Sequence, residues 1–214
     1  MKVLAFDTSS VQLAVGVADD GILLASSEVE SSKHSESLVS SIQACLGKAD
    51  IEAKDIDLFA CILGPGSFMG LRIGMATAKG FSLALNKPWV GVPTLDAIAL
   101  PYATSDLVIP ILDGRKNRLY AALFRRGARA SEYLDISAGQ LLGMLDGEQN
   151  ALFVGPDADI MEEYCLERSG FAYESYNPRS TVLQMAILAE QIFSSQGPGN
   201  DDASPLYLRE PEIG

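Results

Sequence analysis

The chain reads as an α/β protein of two lobes, each a mixed sheet with helices packed on it. Three observations predict this. Apolar runs alternate between the strand and helix periods from one end of the chain to the other. In the first half the order strand, strand, strand, helix, strand, helix, strand, helix sets an antiparallel hairpin beside parallel crossover units. The second half opens the same way, with Leu107–Leu112 matching Val3–Phe6 and each run ending in an acid, Asp113 and Asp7. We therefore expect a degenerate duplication divided near Pro101–Asp106, with lobes 1–103 and 104–214. The halves share too little identity to count as a sequence repeat.

Each element follows from local pattern. Lys2–Asp7 is a compact apolar strand, and Gln12–Ala18 alternates into a second. Asp19-Asp20-Gly21 supplies the hairpin turn, and Ile22–Glu28 returns as a third strand. A helix starts near Ser35, with Leu38, Val39, Ile42, Cys45 and Leu46 on one apolar face. Asp57–Leu63 is a fourth strand, Gly70–Asn86 a second helix and Trp89–Val92 a short fifth strand, before a helical segment over Thr94–Tyr102. In the second lobe, Leu119–Arg125 and Arg129–Leu134 form a hairpin through Gly127. Helix, strand, helix and helix then follow at Ala138–Leu145, Ala151–Val154, Ala158–Ser169 and Thr181–Phe193. Ser194–Ser204 alone reads as a stretch without packed structure.

Bulk properties narrow the function. At 214 residues and 48% hydrophobic, the chain can bury a sizeable core. Met1–Ala5 has neither the basic start nor the long apolar stretch of a signal peptide, and no apolar run approaches the roughly 20 residues that span a bilayer. Cys45, Cys61 and Cys165 are widely spaced in apolar surroundings, as reduced core thiols are; a cytoplasmic protein with no membrane partner is expected. A net charge of −12 argues against holding nucleic acid alone. The local exception is Arg115, Lys116, Arg118, Arg125, Arg126 and Arg129, readable as solvated strand faces or as a nucleic-acid contact. With one histidine, His34, no site needing two imidazoles can form, which excludes His-x-x-x-His metal clamps. His34 stands in Ser31-Ser32-Lys33-His34-Ser35-Glu36, at the start of the first helix. There it reads as a cap, core or interface residue rather than a general base. No Gly-x-Ser-x-Gly elbow exists, because Gly66-Ser67-Phe68-Met69-Gly70 is one residue too long.

Most informative is Gly64-Pro65-Gly66-Ser67-Phe68-Met69-Gly70-Leu71-Arg72-Ile73-Gly74, lying between a strand and a helix. It lacks the Lys-Ser/Thr of a P-loop, and its Gly64-x-Gly66-x-x-x-Gly70 spacing is one residue longer than the dinucleotide fingerprint. Ser67 suits an N-cap, and Gly70, Gly74, Ala78 and Ser82 recur every four residues as a side-chain-poor stripe. Three uses stay open. The segment can be a tight packed turn, an anion site at a helix start, or a docking surface to which Phe68, Met69 and Leu71 add apolar area. A second constellation is Asp7-Thr8-Ser9-Ser10 at the end of the first strand, mirrored by Asp113-Gly114. An acid followed by hydroxyls suits a metal-bridged phosphate, and two such strand ends facing across a cleft is the arrangement of two-lobed actin-like ATPases. Equally, Asp7 and Asp113 can simply end strands and stabilise turns.

These segments together resemble the TsaB (YeaZ) family, bacterial partners of the tRNA threonylcarbamoyladenosine transferase TsaD. The resemblance is carried by Phe6–Ser10, His34–Leu38, Gly64–Gly80, Gly91–Ala99, Ile111–Phe124 and Pro205–Glu210, spread over nearly the whole chain. Met69 departs from it, standing where the family usually has threonine, which could alter a hydrogen bond at the contact surface. The resemblance implies a duplicated RNase H-like fold of the actin, sugar-kinase and Hsp70 class, and a subunit with no catalytic residues and no metal of its own. TsaD-like proteins hold a metal partly through two histidines four residues apart. Here Leu38 lies four beyond His34, so that clamp is missing. Further implied is a face that docks TsaD, made by His34, Ser35 and Leu38 of one helix and by Ser67, Phe68, Met69, Gly70, Arg72, Ile73, Gly74 and Ala78 of the next. The same face would close a homodimer of the chain alone. TsaE is the other implied partner, and tRNA is met only through the complex. Asp7, Thr8, Ser9 and Asp113 match phosphate-binding segments that are vestigial or shared between subunits. No intrinsic cofactor is implied, which leaves open ATP or ADP with Mg²⁺ at the heterodimer interface. The rival readings are a small-molecule kinase or ATPase of the same fold using Asp7 and Asp113, and a peptidase.

Overall fold

A computed structural model describes residues 1–30, 33–174 and 176–209. Ser31, Ser32 and Glu210, which belong to motifs singled out above, lie outside the described residues.

The first unit is built on β1 (Lys2–Asp7), β2 (Gln12–Asp19), β3 (Ile22–Glu30), β4 (Leu58–Gly64) and β5 (Trp89–Pro93), in the order β3-β2-β1-β4-β5. β1 and β2 pair antiparallel, as do β2 and β3, while β1, β4 and β5 run parallel. Strand alternation sends Leu4, Phe6, Leu13, Val15 and Val17 to the side covered by α1 (His34–Ala49) and α2 (Phe68–Leu85). Leu38, Ile42, Cys45 and Leu46 of α1, with Met75 and Ala78 of α2, complete that core. Phe81 of α2 stacks on Phe59 of β4 with ring centroids 5.3 Å apart. α3 (Thr94–Ala99) and a 3-10 turn over Leu100–Tyr102 follow β5.

The second unit comprises β6 (Val108–Asp113), β7 (Leu119–Ala121), β8 (Phe124–Arg125), β9 (Ala128–Arg129), β10 (Leu134–Ile136), β11 (Ala151–Val154) and β12 (Phe171–Tyr173). Its helices are α4 (Ala138–Met144) and α5 (Glu162–Glu167). The strand order β10-β7-β6-β11-β12 repeats the first sheet, with β6–β7 and β7–β10 antiparallel and β6–β11 and β11–β12 parallel. The duplication absent from residue identity is therefore present in topology, and the fold is the duplicated RNase H-like α/β fold with mixed sheets. Leu107, Ile109, Ile111, Phe153 and Phe171 form the second core.

Four expectations need correction. The units divide as Met1–Ala97 with Pro178–Leu206, and Ile98–Asn177 with the chain from Tyr207, not at 103/104. The cause is α6 (Pro178–Gln196), whose buried Val182, Met185, Ala186 and Ala189 cover the sheet face opposite α1 and α2. Gly16 of β2 marks the closeness of that packing, since a Cβ there would lie 2.7 Å from Val182 Cγ2. The stretch expected to lack structure, Ser194–Ser204, begins inside α6 and continues as a strap: Gly199 N–H donates to Trp89 O at 2.6 Å, and Leu206 N–H to Leu63 O at 2.8 Å. The strand expected over Leu119–Arg125 is broken, because Leu123 N–H is taken by Ser131 Oγ at 2.9 Å and Leu123 O by Ala130 N–H at 2.7 Å. Finally, the basic residues of 115–129 do not form one cluster. Asp113 pairs with Leu119 and Val108 with Phe124, so the turn of Arg115, Lys116 and Arg118 and the turn of Arg125–Arg129 sit at opposite ends of β6. Acids lie beside them: Asp113 by Arg115 at 3.5 Å, Asp135 by Arg118 at 2.8 Å and Asp106 by Arg126 at 2.9 Å. Among the described residues no helix is long and apolar enough to cross a membrane.

Candidate functional site

Ser67 caps α2, its hydroxyl accepting Gly70 N–H at 3.3 Å. The turn before it packs on the connection that leaves β1. Ser67 N–H donates to Ser9 O at 2.7 Å, and Thr8 Oγ1 donates to Gly70 O at 2.8 Å. The carboxylate of Asp7 accepts Ser9 N–H on Oδ1 at 2.7 Å. Asp7, Thr8 and Ser9 are all buried, with Thr8 fully enclosed. Glycine is required for this approach: a Cβ at Gly70 would lie 1.9 Å from Thr8 O, and one at Gly74 would lie 2.6 Å from Thr8 Oγ1. Gly64, at φ +121°, adds a backbone that side chains rarely adopt. His34, the first residue of α1, places Nε2 2.6 Å from Ser10 O and so ties the start of α1 to the same connection. Its Nδ1 is buried with no partner among the described residues.

This geometry corrects five residues of the expected docking face. His34, Leu38, Gly70, Gly74 and Ala78 are buried within their own unit. The small-residue stripe faces inward because Leu71 and Met75, beside it on the helix, enter the core and bring Gly70 and Gly74 against Thr8. Ser35, Ser67, Met69 and Arg72 are exposed, while Phe68 and Ile73 are partly so.

The outward side of α2 carries a second stripe that sequence reasoning passed over. Ala76, Gly80 and Ala84, again four apart, are all exposed, and nothing lies within 4 Å of a Cβ built at Gly80. A step of two residues turns a helix by about 200°, so the stripes of 74–78 and 76–80 occupy opposite faces. Flanking the outer stripe are Met69, 61% exposed, and Leu83, 87% exposed. α1 lies beside α2 and shows Ser35, Val39, Ser40, Gln43, Ala44 and Gly47. Of the two charges on α2, Lys79 is partly buried and gives its ammonium to the carbonyls of Asp201 and Ala203 at 2.5 and 2.8 Å. Arg72 is exposed, its guanidinium carbon 3.9 Å from the centroid of the Phe68 ring. A largely uncharged, side-chain-poor surface with large apolar groups at its edges is chemically suited to close packing against another helix.

In the second unit Asp113 ends β6, as Asp7 ends β1. Its N–H donates to Asp157 Oδ2 at 2.8 Å, and its Oδ1 accepts Arg115 N–H at 2.7 Å. Burial pushes the Asp157 carboxyl above its usual range, and the nearby Asp113 carboxylate adds to the rise. Arg209 forks onto Asp135 through Nε at 3.0 Å and Nη2 at 2.8 Å, beside Arg118. Burial opposes ionisation of Asp135, but the bonds from Arg209 and Arg118 outweigh it and hold its carboxyl low. Burial raises Cys45 to about 11 and Cys61 to about 12. Asp7 and Asp113 belong to different units. Among the described residues no three His, Cys, Asp or Glu side chains gather into a metal site.

Comparison with known proteins places this geometry among relatives. Residues 26–191 match the family model of TsaD, the tRNA N6-adenosine threonylcarbamoyltransferase. The TsaB protein of Bacillus subtilis, named for tRNA threonylcarbamoyladenosine biosynthesis, is 28% identical over 98% of this chain and 94% of its own. The tRNA N6-adenosine threonylcarbamoyltransferase of Kosmotoga olearia is 35% identical over 43% of this chain and 33% of its own, and an uncharacterised Mycobacterium leprae protein 32% identical over 72% and 45%. This chain thus spans less than half the length of those two relatives and nearly all of the Bacillus protein. In structure, a YeaZ-like protein of Pseudomonas aeruginosa superposes with a TM-score of 0.80 at 21% identity, over 97% of this chain and 99% of its own.

Proposed function

Since the chain belongs to the TsaD family, as one of its TsaB (YeaZ) members, we propose that it serves the formation of N6-threonylcarbamoyladenosine at position 37 of tRNAs as a non-catalytic cytoplasmic subunit. In this reading TsaD performs the transfer from threonylcarbamoyl-adenylate, and this chain holds TsaD competent and helps recruit TsaE. It meets tRNA only through that complex. The docking surface is the outer face of α1 and α2, and the same face closes a homodimer when the partner is absent. The single observation that carries the proposal is the exposed Ala76-Gly80-Ala84 stripe with Met69 and Leu83 beside it. Leaving that surface in water is unfavourable at about 25 cal/mol per Å² of apolar area, although association entropy offsets much of the gain on docking.

ATP or ADP with Mg²⁺ at the heterodimer interface belongs to the same reading, with Asp7, Thr8, Ser9 and Asp113 as remnants of phosphate-binding segments. Their present bonds disfavour the rival, a kinase or ATPase working alone, because the Thr8 hydroxyl and Ser9 N–H are committed within the chain. The test is co-purification with the TsaD of the same organism, followed by tRNA modification with and without this chain. Gly80→Leu and Leu83→Asp should abolish co-purification while leaving the far-UV spectrum unchanged. Undiminished binding by both variants would overturn the docking face. Micromolar ATP binding with turnover by the isolated chain would favour the kinase.

A further inference from the structure

We propose that Met69 is an oxidation site at which a hydroperoxide weakens docking, an inference that rests on the docking reading above. Met69 is the most exposed of the six methionines, at 61% against 48% for Met144, while Met1 is partly exposed and Met75, Met161 and Met185 are buried. Seven residues turn a helix by about 700°, so Met69, Ala76 and Leu83 stand in line along α2 with Gly80 and Ala84 beside them. The thioether therefore lies on the line along which a partner helix approaches, at the end where α2 begins. Met69 takes no part in the core beneath α2, which Met75 and Ala78 enter, so its modification leaves the fold of the free chain intact.

The step balances with a hydroperoxide as the oxidant. A sulfur lone pair attacks one peroxide oxygen, and the S–O bond forms as the O–O bond breaks. The proton of the attacked oxygen passes to the leaving oxygen, which departs as water or an alcohol. Sulfur loses two electrons and the peroxide gains them. A methionine sulfoxide reductase reverses the step, the oxygen leaving as water while two thiols become a disulfide. The sulfoxide turns a flexible apolar side chain into a polar one whose oxygen water solvates. Burial against a partner strips that water, and a polar group desolvated without a matching bond opposes association. The free chain is open to the reaction and the docked chain is shielded, so oxidation and docking exclude one another.

Mass spectrometry of the free chain after hydrogen peroxide should find one oxygen added at Met69 and at Met144, and none at Met75, Met161 or Met185 before urea. Met144, the last residue of α4 in the second unit, is the internal control away from the docking face. With the peroxide removed, the treated chain should bind the TsaD of its own organism about tenfold more weakly, in the range of a buried polar group left unpaired. Methionine sulfoxide reductase with a dithiol should restore binding, and the dithiol alone, which reduces an oxidised Cys165, should not. Met69→Leu, whatever its starting affinity, should bind equally before and after peroxide, whereas Met144→Leu should still lose binding. TsaD bound beforehand should shield Met69 and leave Met144 reactive. The oxidation proposal falls, and the docking face stands, if Met69 reacts no faster than the buried methionines. The same holds if the chain oxidised at Met69 binds within twofold of the untreated one, or if Met69→Leu loses as much as the unmodified chain. If the untreated chain does not bind TsaD, or binds it with Met69 still as reactive as in the free chain, the docking reading falls, and this inference with it.

Discussion

Replacing Gly70 by alanine adds one methyl group and tests the packing on which the site is built. That methyl would lie 1.9 Å from Thr8 O, short by about 1.5 Å of the separation at which ordinary contact begins. Neither side can yield cheaply. Thr8 is fully buried at the end of a central strand, and α2 is pinned at that point by Thr8 Oγ1 on Gly70 O and by Ser67 N–H on Ser9 O. Parting them loses two buried hydrogen bonds, about 1 kcal/mol each, and adds overpacking of about 1–3 kcal/mol. Alanine returns about 1 kcal/mol of helix propensity. The net loss is about 3 kcal/mol, or a urea midpoint lower by about 1.5 M for a typical slope. Gly80→Ala is the control, because it meets open space and keeps the propensity gain. Urea unfolding followed by tryptophan fluorescence isolates the first unit, since the chain's one tryptophan, Trp89, is buried there. Gly70→Ala should move the midpoint down and Gly80→Ala slightly up. Shifts within about 1 kcal/mol of each other would refute the close approach of α2 to the Thr8 carbonyl.

Other outcomes follow from individual groups. Asp135→Asn should destabilise the second unit by about 2 kcal/mol, as three charge-assisted bonds from Arg118 and Arg209 weaken at a partly exposed site. The native Asp135 carboxyl is held below its ordinary 3.8, so its stabilisation is complete above that value and fades as pH falls through the lower native value. The acid limb of stability should accordingly be flatter in Asp135→Asn than in the unmodified chain below about pH 4. A thiol reagent at pH 8 should modify Cys165 alone in the native protein, with Cys45 and Cys61 reacting only after urea denaturation. Rapid native labelling of either buried thiol would contradict the packing of α1 or β4.

The first sheet was legible because its strands are compact apolar runs bounded by turn residues, and the Asp20-Gly21 turn joins two of them. α2 was legible as a helix, but its orientation was not. Two small-residue stripes run along it, and only the side chains beside each decide which turns inward. Leu71 and Met75 accompany the inner stripe, and that pairing was the available signal. The second sheet was harder to read. β8, β9 and β10 are two or three residues long, too short for a period, and a side chain, Ser131 Oγ, takes the Leu123 N–H between β7 and β8 in place of a strand partner. β12, also three residues, went unnoticed for the same reason. The placement of α6 was beyond reach because an apolar helix face does not say which sheet it covers.

Of the three uses open to the glycine-rich segment, the packed turn and the anion site compete for the same backbone groups, and the bonding pattern bears on which is favoured. An anion at the start of α2 or at the end of β1 would call on Ser9 N–H, Ser67 N–H and Gly70 N–H. Each already has an internal acceptor: Asp7 Oδ1, Ser9 O and Ser67 Oγ. Binding phosphate there would mean breaking the bonds that shape the connection after β1, cap α2 and join the two. Docking through the outer face asks for no such rearrangement, since Ala76, Gly80 and Ala84 stand open on a helix that those same inner bonds hold in position. The inner stripe thus stabilises α2, and the outer stripe is where a partner helix can approach closely.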